Sequence, residues 1–246
     1  MRLTRRSLLF GGGATLAVGA GGAAFAQRPS AVPSPTSIVV EATAIDRFSV
    51  QNPDQRRFGA LTFRSGLVVR SDAPGFGGFS GLSRSADGRR IIAMSDNAQW
   101  LLADVETADG HLFGLSNAVL APILGPDGTP LRRTRYYDTE GLTISAGVAY
   151  VSIERSHAVM RFDWARSGVS ARGQLLPVPN EARRLPSNSG LEAIGVAPAR
   201  SPLAGAVVAI AEQARSGDDS PTLGFILTGR SQGVFEVVRS GGYDVT

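Results

Sequence analysis

Cysteine and lysine are both absent from this 246-residue chain, and histidine occurs only at His111 and His157. Without cysteine there are no disulfides, no thiolate metal sites, no cysteine nucleophile and no lipid-modified cysteine. Without lysine, all 25 basic residues are arginine, which lifts the pI to about 10.3 while the net charge is only +4. Arg2, Arg5 and Arg6 fall in the first 26 residues, which hold no acid; beyond them 22 basic residues face 21 acidic ones. So neutral a body gives no broad electrostatic case for nucleic acid or a membrane surface. No Walker loop or dinucleotide fingerprint occurs after the leader, and from Ile38 onward no stretch has a convincing helical period.

What is present begins with an export signal over residues 1–26. Arg5-Arg6 precede an apolar run rich in Gly and Ala that ends in Ala24-Phe25-Ala26. Small residues at the third and first positions before a cut predict cleavage ahead of Gln27. The arginine pair resembles the twin-arginine address for bacterial export of folded proteins, which predicts a periplasmic or secreted protein with no stable membrane span after cleavage. A membrane anchor fits less well, because the run is Gly-rich and only modestly apolar. Export in the folded state often accompanies metal loading. Residues 27–37, with Pro29, Pro33 and Pro35, read as a linker, and residues 38–246 as one domain.

Within that domain apolar residues come in short β-rich runs: Ser37–Val40, Leu67–Val69, Ile91–Met94, Val148–Ile153, Val159–Phe162, Gly205–Ala211, Leu223–Thr228 and Val234–Val238. Asp87-Gly88, Asp127-Gly128, Ala146-Gly147, Ser216-Gly217 and Ser240-Gly241-Gly242 mark turns between them. Many short strands without intervening helices predict an all-β sandwich, barrel or propeller. An internal repeat selects the propeller. Ser80-Gly81-Leu82-Ser83, Glu140-Gly141-Leu142-Thr143 and Glu192-Ala193-Ile194-Gly195 are spaced 60 and then 52 residues apart. Each is followed by a second strand with a carboxylate near its end: Asp96, Glu154 and Glu212. Four-stranded units of about 50 residues have the size of propeller blades, whose first strands line a central channel.

The Arg135-Tyr-Tyr-Asp-Thr-Glu-Gly-Leu stretch stands out in this scheme. Asp138 and Glu140 are two apart, so on an extended strand they share a face. Glu140 corresponds to Ser80 and Glu192, whereas Asp138 corresponds to Gly78 and Gly190. Asp96, Asp138, Glu140, Glu154, Glu192 and Glu212 are the candidate metal ligands. A hard divalent cation such as Ca²⁺, which takes six to eight oxygens in irregular geometry, suits them. Arg135 and Arg155 flank these acids and are the candidate anion-binding residues; salt bridging within the channel is the structural alternative. The mixed basic and aromatic run Arg132–Tyr137 fits a solvated loop better than a single-strand groove in so neutral a protein.

Gly77-Gly78-Phe79-Ser80-Gly81-Leu82, Ser95-Asp96-Asn97, Asp138-Thr139-Glu140-Gly141-Leu142, Ile153-Glu154-Arg155 and Asn188-Ser189-Gly190-Leu191-Glu192-Ala193 follow one another in this order. Together, over about residues 40–246, they resemble the phytase-like family described as having esterase-like activity of phytase. The resemblance implies a β-propeller with recurrent Asp and Glu residues suited to phosphoester chemistry. The final Gly242-Tyr243-Asp244-Val245-Thr246 resembles the opening of another blade, so an incomplete, C-terminally truncated propeller is expected.

A serine hydrolase is the other meaning of "esterase". Gly229-Arg230-Ser231-Gln232-Gly233 matches G-x-S-x-G, but that motif needs a strand-to-helix turn with a histidine later in the chain. None follows Ser231. Gly114-Leu115-Ser116-Asn117-Ala118 lacks the second glycine. His111, after Asp109-Gly110, reads as an exposed turn residue and His157 as a hydrogen-bonded loop residue. Three functions remain: an exported, divalent-metal-dependent phosphoester hydrolase acting on a small anionic or phosphorylated substrate; a metal-dependent lactonase or carboxylesterase; and a non-catalytic propeller that binds a ligand or partner in the cell envelope.

Overall fold

A computed structural model describes residues 34–212, 221–230 and 232–237, all within one unit spanning Val32–Thr246. The leader, most of the Pro-rich segment, the turn signals near 216 and 240, Ser231 and the final Gly242–Thr246 lie outside the described residues. Among the described residues no helix is long and apolar enough to cross a membrane.

The described unit is nearly all β. Short β1 (Thr36–Ser37) leads to a small ribbon region: β2 (Glu41–Ile45) pairs with β5 (Gly66–Arg70), and between them β3 (Arg57–Phe58) pairs with β4 (Leu61–Thr62). Three larger sheets follow. The first is an antiparallel meander of β6 (Phe79–Arg84), β7 (Arg90–Ser95), β8 (Gln99–Ala108) and β9 (His111–Pro122), with β1 added beside β9. The second is the meander β10 (Thr139–Ser145), β11 (Val148–Ile153), β12 (Ala158–Asp163) and β13 (Gln174–Leu176). The third is β14 (Leu191–Val196), β15 (Val207–Ala211), β16 (Thr222–Ile226) and β17 (Gly233–Val237). The only α-helix among the described residues, α1, is the single turn Trp164–Ser167, capped at Asp163, whose carboxylate accepts from the Arg166 amide.

Seven of the eight apolar runs predicted as strands lie largely within these sheets; of Ser37–Val40 only Ser37 is in a strand, β1. The long β8–β9 hairpin has no counterpart among them. Its strands hold the apolar stretches Trp100–Ala103 and Ala118–Ala121, flanked by half-buried segments in which Asp104, Glu106 and Ser116 interrupt the apolar residues. The hairpin turns where Asp109 and Gly110 take φ of 50° and 77°. Ala146 and Gly147 do the same at 47° and 79° between β10 and β11. Both are residue pairs that match the twist of the flanking strands.

The sheets pack face to face. On β11, Ala149, Val151 and Ile153 point into a cluster with Met94, Trp100, Leu142 and Phe162. Tyr150, one residue out of phase, packs instead against a second cluster built on Leu191, Val207, Ala209 and Phe225. β12 divides the same way, with Met160 and Phe162 in the first cluster and Val159 in the second. The period of two therefore sorts one central sheet's side chains into the two interfaces it shares with its neighbours. Trp100 is fully buried and meets Phe162 and Trp164 edge-on, with ring centroids 5.6 and 5.0 Å apart. Burying a side chain as large as Phe162 stabilises the fold by about 1.5–3 kcal/mol.

The first strands of the three sheets, β6, β10 and β14, are neighbours in that order. Their approach explains the glycine in the first two repeats. A Cβ on Gly81 would lie 2.6 Å from Leu142 Cβ on β10. One on Gly141 would lie 2.7 Å from the Glu192 carbonyl oxygen on β14 and 2.6 Å from Ser152 Oγ.

Candidate metal centre

The three repeats share one local design. The first strand carries one residue more than its partner between Phe79 and Gly81 of β6, between Thr139 and Leu142 of β10, where Glu140 and Gly141 oppose Ser152, and between Leu191 and Ala193 of β14. Each is a β-bulge, which bends the strand and re-aims a side chain. The bulges fall on Ser80, Glu140 and Glu192, the three positions aligned by sequence. In the second sheet the bulge frees the Gly141 amide from the ladder, and it donates to the buried Ser152 Oγ at 2.8 Å.

The carboxylates at the ends of the second strands are also fixed identically. The amides of Asp96, Glu154 and Glu212 donate to the carbonyls of Gly78, Asp138 and Gly190 at 2.8, 3.0 and 3.0 Å. Two of the sheets are then tied across. The Asp96 carbonyl accepts from the amides of Asp138 and Thr139 at 2.8 and 3.2 Å. The buried Thr139 hydroxyl donates to the Ser95 carbonyl at 2.6 Å.

Five of the six predicted ligands are brought together by this scaffold. Asp138, Glu140 and Glu154 place carboxylate oxygens within 4.8 Å of one another, and so do Glu154, Glu192 and Glu212. Glu154 belongs to both groups. Asp96 lies outside both; its Oδ1 accepts from Asn97, and its charge still acts on Glu140. Asp138 occupies the left-handed region at φ 67°, close to Gly78 at 59°. That conformation is uncommon for a residue with a side chain, though Asp tolerates it better than most.

Burial, followed by the charges of Glu140, Glu154, Glu212 and Asp138, pushes the Glu192 carboxyl up to about 7. Burial also raises Glu140, with Asp138, Glu154 and Asp96 adding to it and the Ser80 hydroxyl opposing. Glu154 is raised by burial and by Asp138, against the Gly190 amide, which favours its charged form. Carboxylates crowded in this way need countercharge. Arg155 supplies one, its Nε 2.8 Å from Asp138 Oδ2. Five acids against one guanidinium leave a strong excess of negative charge, and the donor set is all oxygen. Those properties fit a hard divalent cation, with Asp138, Glu140 and Glu154 or Glu154, Glu192 and Glu212 as its holders.

The two predicted anion-binding arginines take different places. Arg155 bridges Asp138 and stands over the Tyr137 ring at 5.7 Å. Arg135 turns from the acids, stacks on Tyr136 at 4.9 Å and donates to its hydroxyl at 2.8 Å. Both line a groove of about 830 Å³ beside the acidic groups, together with Arg183. Sequence reasoning missed Arg183, which sits in a short 3₁₀ turn (Ala182–Arg184) far along the chain. It also missed Thr139 and Ser152, which hold the bulge and strand entry in place. Thr139 had one signal available, its position inside the Asp-Thr-Glu-Gly-Leu box.

The serine alternatives gain no geometry. Gly229 and Arg230 lie between β16 and β17, a strand-to-strand connection. Ser116 Oγ is hydrogen-bonded to Glu106 on the neighbouring strand. His111 is exposed, its Nδ1 3.0 Å from the Asp109 carbonyl. His157 is buried at φ 46°, with its amide donating to the Glu154 carbonyl.

No curated protein matches the chain. Among solved structures it is similar to a candidate 6-phosphogluconolactonase from Bacteroides uniformis, with 15% identity and a TM-score of 0.37. That likeness covers 64% of this chain and spans 39% of the other. Residues 74–244 match the family described as "Phytase-like: Esterase-like activity of phytase", a span that contains every bulge and carboxylate of the site. On that match, the chain belongs to the phytase-like family.

Proposed function

We propose that this protein is an exported, divalent-metal-dependent phosphoester hydrolase. The observation that carries the proposal is the pair of carboxylate groups sharing Glu154, built from equivalent positions of repeated sheets. The three sheets are read as successive blades of a propeller, with their bulged first strands facing a common channel. Asp138, Glu140, Glu154, Glu192 and Glu212 would hold the cation, and an all-oxygen set favours Ca²⁺ over softer metals. When bound, such an ion polarises a phosphoryl oxygen and lowers the pKa of a bound water.

The chain's own residues supply orientation and charge balance. Asp138 fixes Arg155 through Nε, leaving its terminal nitrogens to donate to an anion. With its carboxyl pushed up to about 7, Glu192 is only part ionised near neutral pH without the cation, so cation binding favours release of its proton. The twin-arginine-type leader supports action in the periplasm or outside the cell.

The test is turnover of phosphomonoester, phosphodiester, lactone and carboxylic-ester panels with Ca²⁺ and with chelator. Phosphoester turnover that is lost with chelator and falls at least ~10²-fold in Glu154→Gln is expected. Turnover confined to lactones or carboxylic esters would replace the substrate class. Cation binding without turnover of any panel member would sink the enzyme reading in favour of a binding protein.

A further inference from the structure

Beside the acidic groups, the groove shared by Arg135, Arg155 and Arg183 has a composition that metal holding does not explain. No carboxylate lines it. Arg155 is matched by Asp138, but neither Arg135 nor Arg183 is in an ion pair among the described residues. Three guanidinium groups on one concave wall repel one another, an arrangement that an anionic ligand relieves. Ser156 also lines the groove, and its buried hydroxyl has no hydrogen-bond partner. A buried hydroxyl left unsatisfied costs stability unless something in the site completes it.

Apart from His157, whose buried Nδ1 also has no hydrogen-bond partner, the remainder of the wall is apolar or aromatic. Leu175, Leu176, Pro177 and Val178 come from the end of β13 and the segment after it, while Tyr136 and Tyr137 face them from the approach to β10. Both tyrosine rings already carry a guanidinium over one face. Asp, Glu, Asn and Gln are all missing from the lining, whose hydrogen-bonding side chains are the three arginines, the two tyrosines, Ser156 and His157. At about 830 Å³ the groove is far larger than a phosphate ion needs and lies in the range of pockets that enclose small organic ligands.

We propose that this groove binds the phosphoryl group of a phosphoester whose other part is aromatic or apolar, with Arg135 and Arg183 as the anion-recognising side chains and the Leu175–Val178 segment as the apolar wall. The proposal deepens the phosphoester reading by naming the substrate class, and it rests on that reading for its connection to hydrolysis.

The experiment measures binding alone. Phenylphosphonate and methylphosphonate, which have no ester bond to cleave, are titrated calorimetrically into the full chain in the presence of chelator. Phenylphosphonate is expected to bind at least about fivefold tighter than methylphosphonate, since its ring buries against the apolar wall. Arg183→Ala, on an exposed 3₁₀ turn, is expected to weaken it by roughly tenfold, as is Arg135→Ala, with unfolding temperatures unchanged. No measurable phenylphosphonate binding, equal affinity for the two probes, or wild-type affinity in both arginine variants overturns the proposal. Absence of ester turnover alongside arginine-dependent phenylphosphonate binding rejects the hydrolase reading and leaves the groove assignment in place.

Discussion

Asp138 concentrates the conflict between folding and function in one residue. It stands in a left-handed conformation where the first repeat has a glycine, and its carboxylate raises the protonation of Glu140 and Glu154. A non-glycine residue there costs on the order of 1 kcal/mol, and its ion pair with half-exposed Arg155 returns little. Asp138→Gly is therefore expected to leave the metal-free protein as stable as wild type or more so, while weakening Ca²⁺ binding. Paired thermal unfolding and calcium titration check this; a large loss of stability would show that the Arg155 pair matters more than the backbone cost.

Glu192 sets a pH dependence whose sign is fixed. Its folded-state carboxyl lies near 7, above the ordinary value of 4.5, so the folded protein binds more protons than the unfolded chain between these values. Its contribution to stability is fully present below about pH 4.5 and is lost as pH rises through about 7. Metal-free protein should accordingly show a falling unfolding temperature across this window, less steep in Glu192→Gln. Added Ca²⁺ should raise that temperature more at pH 8 than at pH 5, because protons compete for the same oxygens.

At the scale of elements, the repeated bulge converts strand sequence into a site. A regular strand would alternate its side chains between the two interfaces; the extra residue at Ser80, Glu140 and Glu192 breaks that alternation where a polar group is wanted. The glycine after the bulge lets the next first strand approach. Gly141→Ala should destabilise by about 1–3 kcal/mol, because the added methyl meets backbone and a buried hydroxyl below 3 Å. Gly114→Ala is the control. Its new methyl would meet nothing closer than 3.6 Å in the middle of β9, so a gain of about 0.4–1 kcal/mol is expected from reduced unfolded-state freedom. Urea denaturation of both variants measures the contrast.

For the described unit as a whole, stability and function separate by location. The apolar interfaces between sheets, centred on Trp100–Phe162 and on Leu191–Phe225, hold the fold without the acids. The carboxylates gather where the first strands begin and the second strands end, at the rim of those interfaces, so their repulsion is borne by a scaffold that does not depend on them.

Which parts of this could be read in advance follows from the range of the interactions. Strand runs, turn pairs and the Ser80/Glu140/Glu192 correspondence were legible because period-two apolar patterning, glycine at positive φ and a repeated bulge are local properties. The candidate ligand set was legible for the same reason: a repeat implies equivalent places. The sequence by itself thus determined the all-β class, the four-stranded unit and the residues eligible for the site. Only the tertiary structure decided that Glu154 joins both carboxylate groups, that Asp96 stays outside them, and that Arg135 turns away toward a groove with Arg183. Those outcomes depend on how neighbouring sheets pack and on where separated segments meet, and separations of tens of residues along a chain carry no such distances.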